Sequence, residues 1–157
     1  MFYRFYVQVD GLEQLVGAIE GLRRDIEEPQ SILEAVAERA FYPIVQEIFD
    51  SEGRGNWEDL TTSYEASKRA RYGDKLIMQR TGALVTSLSK GGAAMNIQTA
   101  QGRDMLLVGS SIPYSAAASK KRPIFIFNQG DYAQMGDVAV DELGSRAKDK
   151  GFQVEKR

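Results

Sequence analysis

The sequence predicts an α+β fold: two long N-terminal helices and shorter helices packed on a small, mainly antiparallel β-sheet, with a long extended arm between the packed segments. Three observations point there. Residues 2–9 alternate, with Tyr3, Phe5, Val7 and Val9 on one side and Phe2, Arg4, Tyr6 and Gln8 on the other, the period of a strand rich in aromatic and β-branched side chains. Apolar residues between Leu12 and Phe49 recur at helical spacing. Two β-prone runs, 94–99 and 103–110, flank the turn Ala100-Gln101-Gly102 and read as a hairpin.

Taken in order, Asp10-Gly11 ends the first strand, and Leu12, Leu15, Val16, Ile19, Leu22 and Ile26 define an amphipathic helix over residues 12–27. Pro29 suits the first turn of the next helix, where its missing N–H is not needed. That helix carries Ile32, Leu33, Val36, Ala40, Ile44, Val45, Ile48 and Phe49 on one stripe, with Pro43 inside it. The proline ring excludes the bond to Arg39 and predicts a kink or a split near Tyr42. Residues 51–75 form a long connection with a short helix over Ser63–Arg71. Thr81 is placed to cap a helix running to Lys90, which Gly91-Gly92 stops. A small alanine-rich helical piece spans Ser115–Ser119, Ile124–Phe127 is a fourth strand candidate at 123–127, and Asn128 to Asp131 opens a last helix that Gly136 and Gly144 weaken. The segment 148–157 reads as an extension, frayed or laid over a partner.

A chain of 157 residues is one domain by default: residues 1–157, with the arm at approximately 51–80. No apolar run approaches the roughly 20 residues that cross a bilayer, and MFYRFYVQVD lacks a signal peptide's basic start and long apolar core. The expected location is the cytoplasm of the cell that makes it, without membrane contact. The chain has neither cysteine nor histidine. Disulfides, a thiol nucleophile, an imidazole base and the usual zinc ligands are thereby excluded. Carboxylate neighbours such as Glu58-Asp59, the Asp137 and Asp141 pair one helical turn apart, and Ser87 or Ser119 near a lysine form no catalytic constellation. No GxGxxG or P-loop pattern is present. The expectation is a non-enzyme with no catalytic, cofactor-binding or metal site.

Net charge is −2, against a dedicated nucleic-acid binder, yet the charge is uneven. Residues 1–53 sum to −7, residues 54–122 to +6 and residues 123–157 to −1. That asymmetry suits a subunit meeting its neighbours through oppositely charged faces; solvated surface in both halves is the plainer alternative. Within the arm, Trp57 and Leu60 read as apolar anchors, packed either on the chain's own core or on a neighbouring subunit. With Tyr64, Lys68, Arg69, Arg71 and Tyr72 they make up the candidate subunit interface. Basic residues at 68–80 with nearby tyrosines also invite phosphate contact, the basis of an alternative as a DNA-binding accessory protein.

The middle third has an order of its own. A helix ending at Phe49 leads to a turn at Gly53, then Trp57 and Leu60, Tyr64 and Lys68, the triplet Leu76-Ile77-Met78, and Thr81-Gly82-Ala83-Leu84. Downstream come Val108-Gly109-Ser110, Pro113-Tyr114 and Arg122-Pro123-Ile124-Phe125. This succession, over roughly residues 12 to 145, resembles a phage virion-morphogenesis family of tail-completion or head–tail joining (neck) proteins. The passage from Tyr114 to Arg122 is shorter than in the family's pattern. The resemblance implies a structural subunit of a tailed-phage virion, a homo-oligomeric ring of six or twelve copies that contacts other neck, connector and tail proteins. It would sit in the neck or tail, near phage DNA without reading it.

Overall fold

The computed structural model describes residues 3–7, 12–91, 94–100 and 103–156. The elements run β1 (Tyr3–Val7), α1 (Leu12–Glu27), α2 (Gln30–Val36), a π turn (Ala37–Phe41), α3 (Tyr42–Asp50), α4 (Thr62–Tyr72), α5 (Ala83–Thr86), β2 (Ala94–Ala100), β3 (Arg103–Gly109), α6 (Ser115–Lys121), α7 (Gln129–Asp149) and β4 (Phe152–Lys156). The chain is mainly helical.

This overturns the α+β expectation. Of the expected strands 2–9, 94–99, 103–110 and 123–127, the described residues do not assemble into one sheet on which the helices pack, and residues 2, 8 and 9 lie outside the described residues. The strands pair only two by two: β1 antiparallel with β4, Tyr3 opposite Lys156 and Val7 opposite Phe152, and β2 antiparallel with β3, Ala94 opposite Gly109. Residues 123–127 form no strand, and the reason is visible in their hydrogen bonds. The Pro123 carbonyl accepts from Trp57 Nε1 at 2.8 Å and the Ile126 carbonyl from Arg54 Nη1 at 3.2 Å. Side chains of the arm thus hold the acceptors that a ladder would need, while Ile124 is buried in the core. The C-terminal segment, expected as an extension, returns along β1 as β4.

Residues 30–50 run as one helical rod with the π turn in the middle. The Tyr42 N–H bonds the Ala37 carbonyl, five residues back, and Pro43 follows at the start of α3. Pro43 has no N–H to give Arg39, and the wider turn absorbs the mismatch without ending the helix. Ala37 and Ala40 are fully buried in that turn.

The core forms on α3. Ile44, Val45, Ile48 and Phe49 meet Trp57, Ile77, Leu84, Leu88 and Ile124, with Leu60 and Met78 against its edge. Trp57 lies edge-on to Phe49, ring centroids 5.5 Å apart, and is 6% exposed. The turn before it is shaped for that approach. Gly53 has φ +72°, and a Cβ there would lie 2.4 Å from Trp57 Cδ1. Helix α5 is only one turn long and starts after Gly82 at φ +74°, with Thr81 Oγ1 accepting from the Ala83 N–H at 3.4 Å. It ends well short of Lys90.

Helix α1 lies against the body by an unexpected side. Among its described side chains the half-buried ones are Ala18, Gly21, Leu22 and Asp25; Gly21 sits under the aliphatic chain of Lys150, and Asp25 pairs with Lys150 and Arg146 of the α7 end. At 3.6 residues per turn, Val16, Ile19 and Ile26 of the apolar period lie roughly 90–170° round the helix from the middle of that contact. Val16, Ile19 and Ile26 are 46%, 51% and 59% exposed.

Gly53→Ala is expected to destabilise the protein by about 2–3 kcal/mol, from the unfavourable left-handed backbone plus the clash with the indole. A lowered urea midpoint with an unchanged slope, accompanied by a shifted emission of the sole tryptophan, would show it.

Candidate functional site

The arm is a folded structure built on hydrogen bonds from charged side chains. Its first turn, Ser51 to Trp57, places Glu52 and Arg54 in left-handed backbone, φ +50° and +56°. Arg54 then reaches across to α7. Its Nη1 and Nη2 donate to the two Asp131 carboxylate oxygens at 2.6 and 2.8 Å, and its Nε donates to Glu47 at 2.8 Å. Asp131 is 6% exposed and also closes the capping box of α7. It accepts from the Asn128 N–H at 2.7 Å, while Asn128 Oδ1 accepts from the Asp131 N–H at 3.0 Å. The Arg54 guanidinium holds the Asp131 carboxyl below the usual carboxylate range, and the carboxylates raise the guanidinium in turn.

Past Leu60, α4 carries the basic residues. Lys68 is 6% exposed; its Nζ donates to the carbonyls of Lys75 and Leu76, the latter at 2.8 Å. Burial pushes its ammonium below the ordinary lysine value. Lys68 therefore acts as a clip that folds residues 75–76 back onto α4, and the Ile77 N–H completes the loop by donating to Glu52 at 2.6 Å. Arg69 is exposed and shared between Glu65 and Asp74. Arg71 is exposed with no ion pair among the described residues. Tyr72 lies under the Arg80 guanidinium, 5.3 Å from its ring centroid.

Of the seven residues that the sequence singles out, Trp57 and Lys68 are thus buried within this chain and Leu60 packs on its core. Tyr64, Arg69, Arg71 and Tyr72 reach the surface. Two residues that matter most to the arm, Arg54 and Asp131, carry no local signal of partnership, because they are 77 positions apart. The capping pattern Asn128-Gln129-Gly130-Asp131 was the one readable hint.

A cleft of about 270 Å³ opens between α4 and α6. Leu84 and Ile77 form its floor, Met78 a flexible wall, and Tyr64 and Tyr114 its exposed rim, with Arg80 and Arg122 at the edge. A second, polar cleft lies on the other side of α4 between Glu52, Asp59, Lys75 and Asp74. No group of three or more acidic residues converges as a metal site among the described residues. Ser87 Oγ donates to the Leu84 carbonyl at 2.7 Å and shares a bond with Ser110, so it is held as a structural hydroxyl. Among the described residues no helix is long and apolar enough to cross a membrane.

Comparison with protein-family models, with characterised proteins and with solved structures found no match to the chain.

Asp131→Ala is expected to cost about 3 kcal/mol, since it strands a partly buried guanidinium and opens the helix cap. Because the folded-state value of Asp131 is depressed, its contribution is fully present above the unfolded carboxylate value. It is lost as pH falls through the folded one. Acid titration of the unfolding free energy should therefore show a component in the wild type that Asp131→Asn lacks. Lys68→Met should cost about 1–3 kcal/mol by leaving two carbonyls without a donor, with hydrogen exchange accelerated locally at residues 73–78.

Proposed function

We propose that this chain is a structural protein of a tailed-phage virion, a tail-completion or neck subunit that works by assembling into a homo-oligomeric ring with head-to-tail interfaces. The observation that carries the reading is the ordered succession of landmarks from Phe49 to Leu84. Phe49, Trp57, Leu60, Ile77, Met78 and Leu84 also converge on one core, so the residues behind the resemblance are the ones that shape the arm. The absence of cysteine and histidine and the acidic first third against a basic middle support action through surfaces. A rotational operator that closes gives a finite ring. In this reading the chain is not an enzyme and needs no cofactor; its partners are its own copies, other neck, connector and tail proteins, and DNA only by proximity. It is made in the host cytoplasm and ends in the virion.

The alternative, a DNA-binding accessory protein using the basic 68–80 arm, has less support. Lys68 is buried and Arg69 is paired with two carboxylates, which leaves Arg71, Lys75 and Arg80 as the cations available to phosphates.

Purified protein is expected to form discrete closed particles, seen by mass photometry and negative-stain imaging. Tight, salt-sensitive binding to short duplexes by a protein that never assembles would favour the DNA reading instead.

A further inference from the structure

The surface of α1 raises a separate question. An amphipathic helix normally turns its apolar stripe to the body, yet α1 docks through Gly21 and Asp25 and leaves Val16, Ile19 and Ile26 in solvent. On one flank of that stripe stand Glu13, Glu20 and Glu27, spaced seven residues or about two turns apart, so that a helix aligns them. Glu13 and Glu20 make no ion pair among the described residues, and Glu27 is held only by Arg23 of its own helix. The α4–α6 cleft has the opposite character. Its floor is apolar, its rim is Tyr64 and Tyr114, and Arg80 and Arg122 border it. Arg71 lies close by on α4, and none of these three arginines is paired with a carboxylate among the described residues.

We propose that the apolar stripe of α1 in one copy seats in the tyrosine-rimmed α4–α6 cleft of the next copy, its glutamate flank facing the arginines. This rests on the assembly reading above and supplies its contact. The two surfaces differ, so the pairing is heterologous, and each copy keeps one of each to offer onward, as a closing ring requires. The apolar stripe gives burial. Glu13 and Glu20 against Arg71 and Arg80 give direction and suppress the wrong register. The Met78 side chain adapts to whichever aliphatic group enters.

The absence of native cysteine makes cross-linking clean. Chains carrying Ile19→Cys and chains carrying Tyr64→Cys, both at exposed positions, are mixed and oxidised. Cross-linked dimer is expected in the mixture and not from either variant alone. In parallel, Glu13→Lys with Glu20→Lys should weaken self-association by roughly tenfold or more, and adding Arg71→Glu and Arg80→Glu to the same chain should restore it. Efficient cross-linking of Ile19→Cys alone would overturn the proposal in favour of two α1 stripes meeting face to face. Normal rings with no mixed cross-link, or rings unchanged by Ile19→Asp, would overturn it too, leaving the stripe to another protein and the assembly reading intact. A wild-type chain that stays a single particle at every concentration would overturn both.

Discussion

The ion pair between Arg54 and Asp131 is the constraint from which the middle of this molecule takes its shape. It joins a turn after α3 to the first turn of α7, across 77 positions of sequence. One end is a residue in left-handed backbone flanked by Gly53 and Gly55, also at positive φ. The other is the N3 residue of a helix cap. Such a pair does not gain much from Coulomb attraction alone, because removing two charges from water offsets most of it. Its value lies in geometry: two parallel bonds between planar groups fix both distance and orientation. With Arg54 held, the turn can deliver Trp57 onto Phe49, and the indole N–H meets Pro123. The same anchoring removes residues 123–127 from any sheet.

The helices were legible because their signals are local. The apolar periods of α1 and the 30–50 rod, the alanine-rich α6 and the Asn128–Asp131 cap all lie within a few residues of the structure they specify. Pro43 announced a disturbance near Tyr42, though not that a π turn would absorb it. What misled was Ile124-Phe125-Ile126-Phe127. Its composition fits a strand, but its carbonyls answer to Trp57 and Arg54, and Phe125 and Phe127 pack on Phe41. Tertiary donors override β-propensity there. Pairing of β1 with β4 joins the two ends of the chain, and no local rule anticipates it.

The candidate site shows the same division. Its residues were identifiable by type, an aromatic anchor followed by a basic helix, but not by role. Lys68 belongs to a basic run by sequence and is an internal clip by structure, since its ammonium donates to the carbonyls of residues 75 and 76. Its removal from the surface leaves arginines and tyrosines around an apolar cleft. Arg and Tyr are the residue types that concentrate binding energy at protein interfaces, which is what the proposed assembly reading asks of this cleft. The amphipathic period of α1 is plain in the sequence and predicts a stripe packed in the core; that Val16, Ile19 and Ile26 instead face outward is not legible there.

The proposed assembly depends on the arm being preorganised by its pin to α7, so that the cleft is formed within the single chain. A double-mutant cycle with Arg54→Ala and Asp131→Ala, followed by chemical unfolding and by self-association of each variant, tests this most directly. A coupling of about 1–3 kcal/mol in stability, with assembly weakened alike in both single variants and in the double, is the expected result. Additive stabilities, or assembly indifferent to all three, would contradict it.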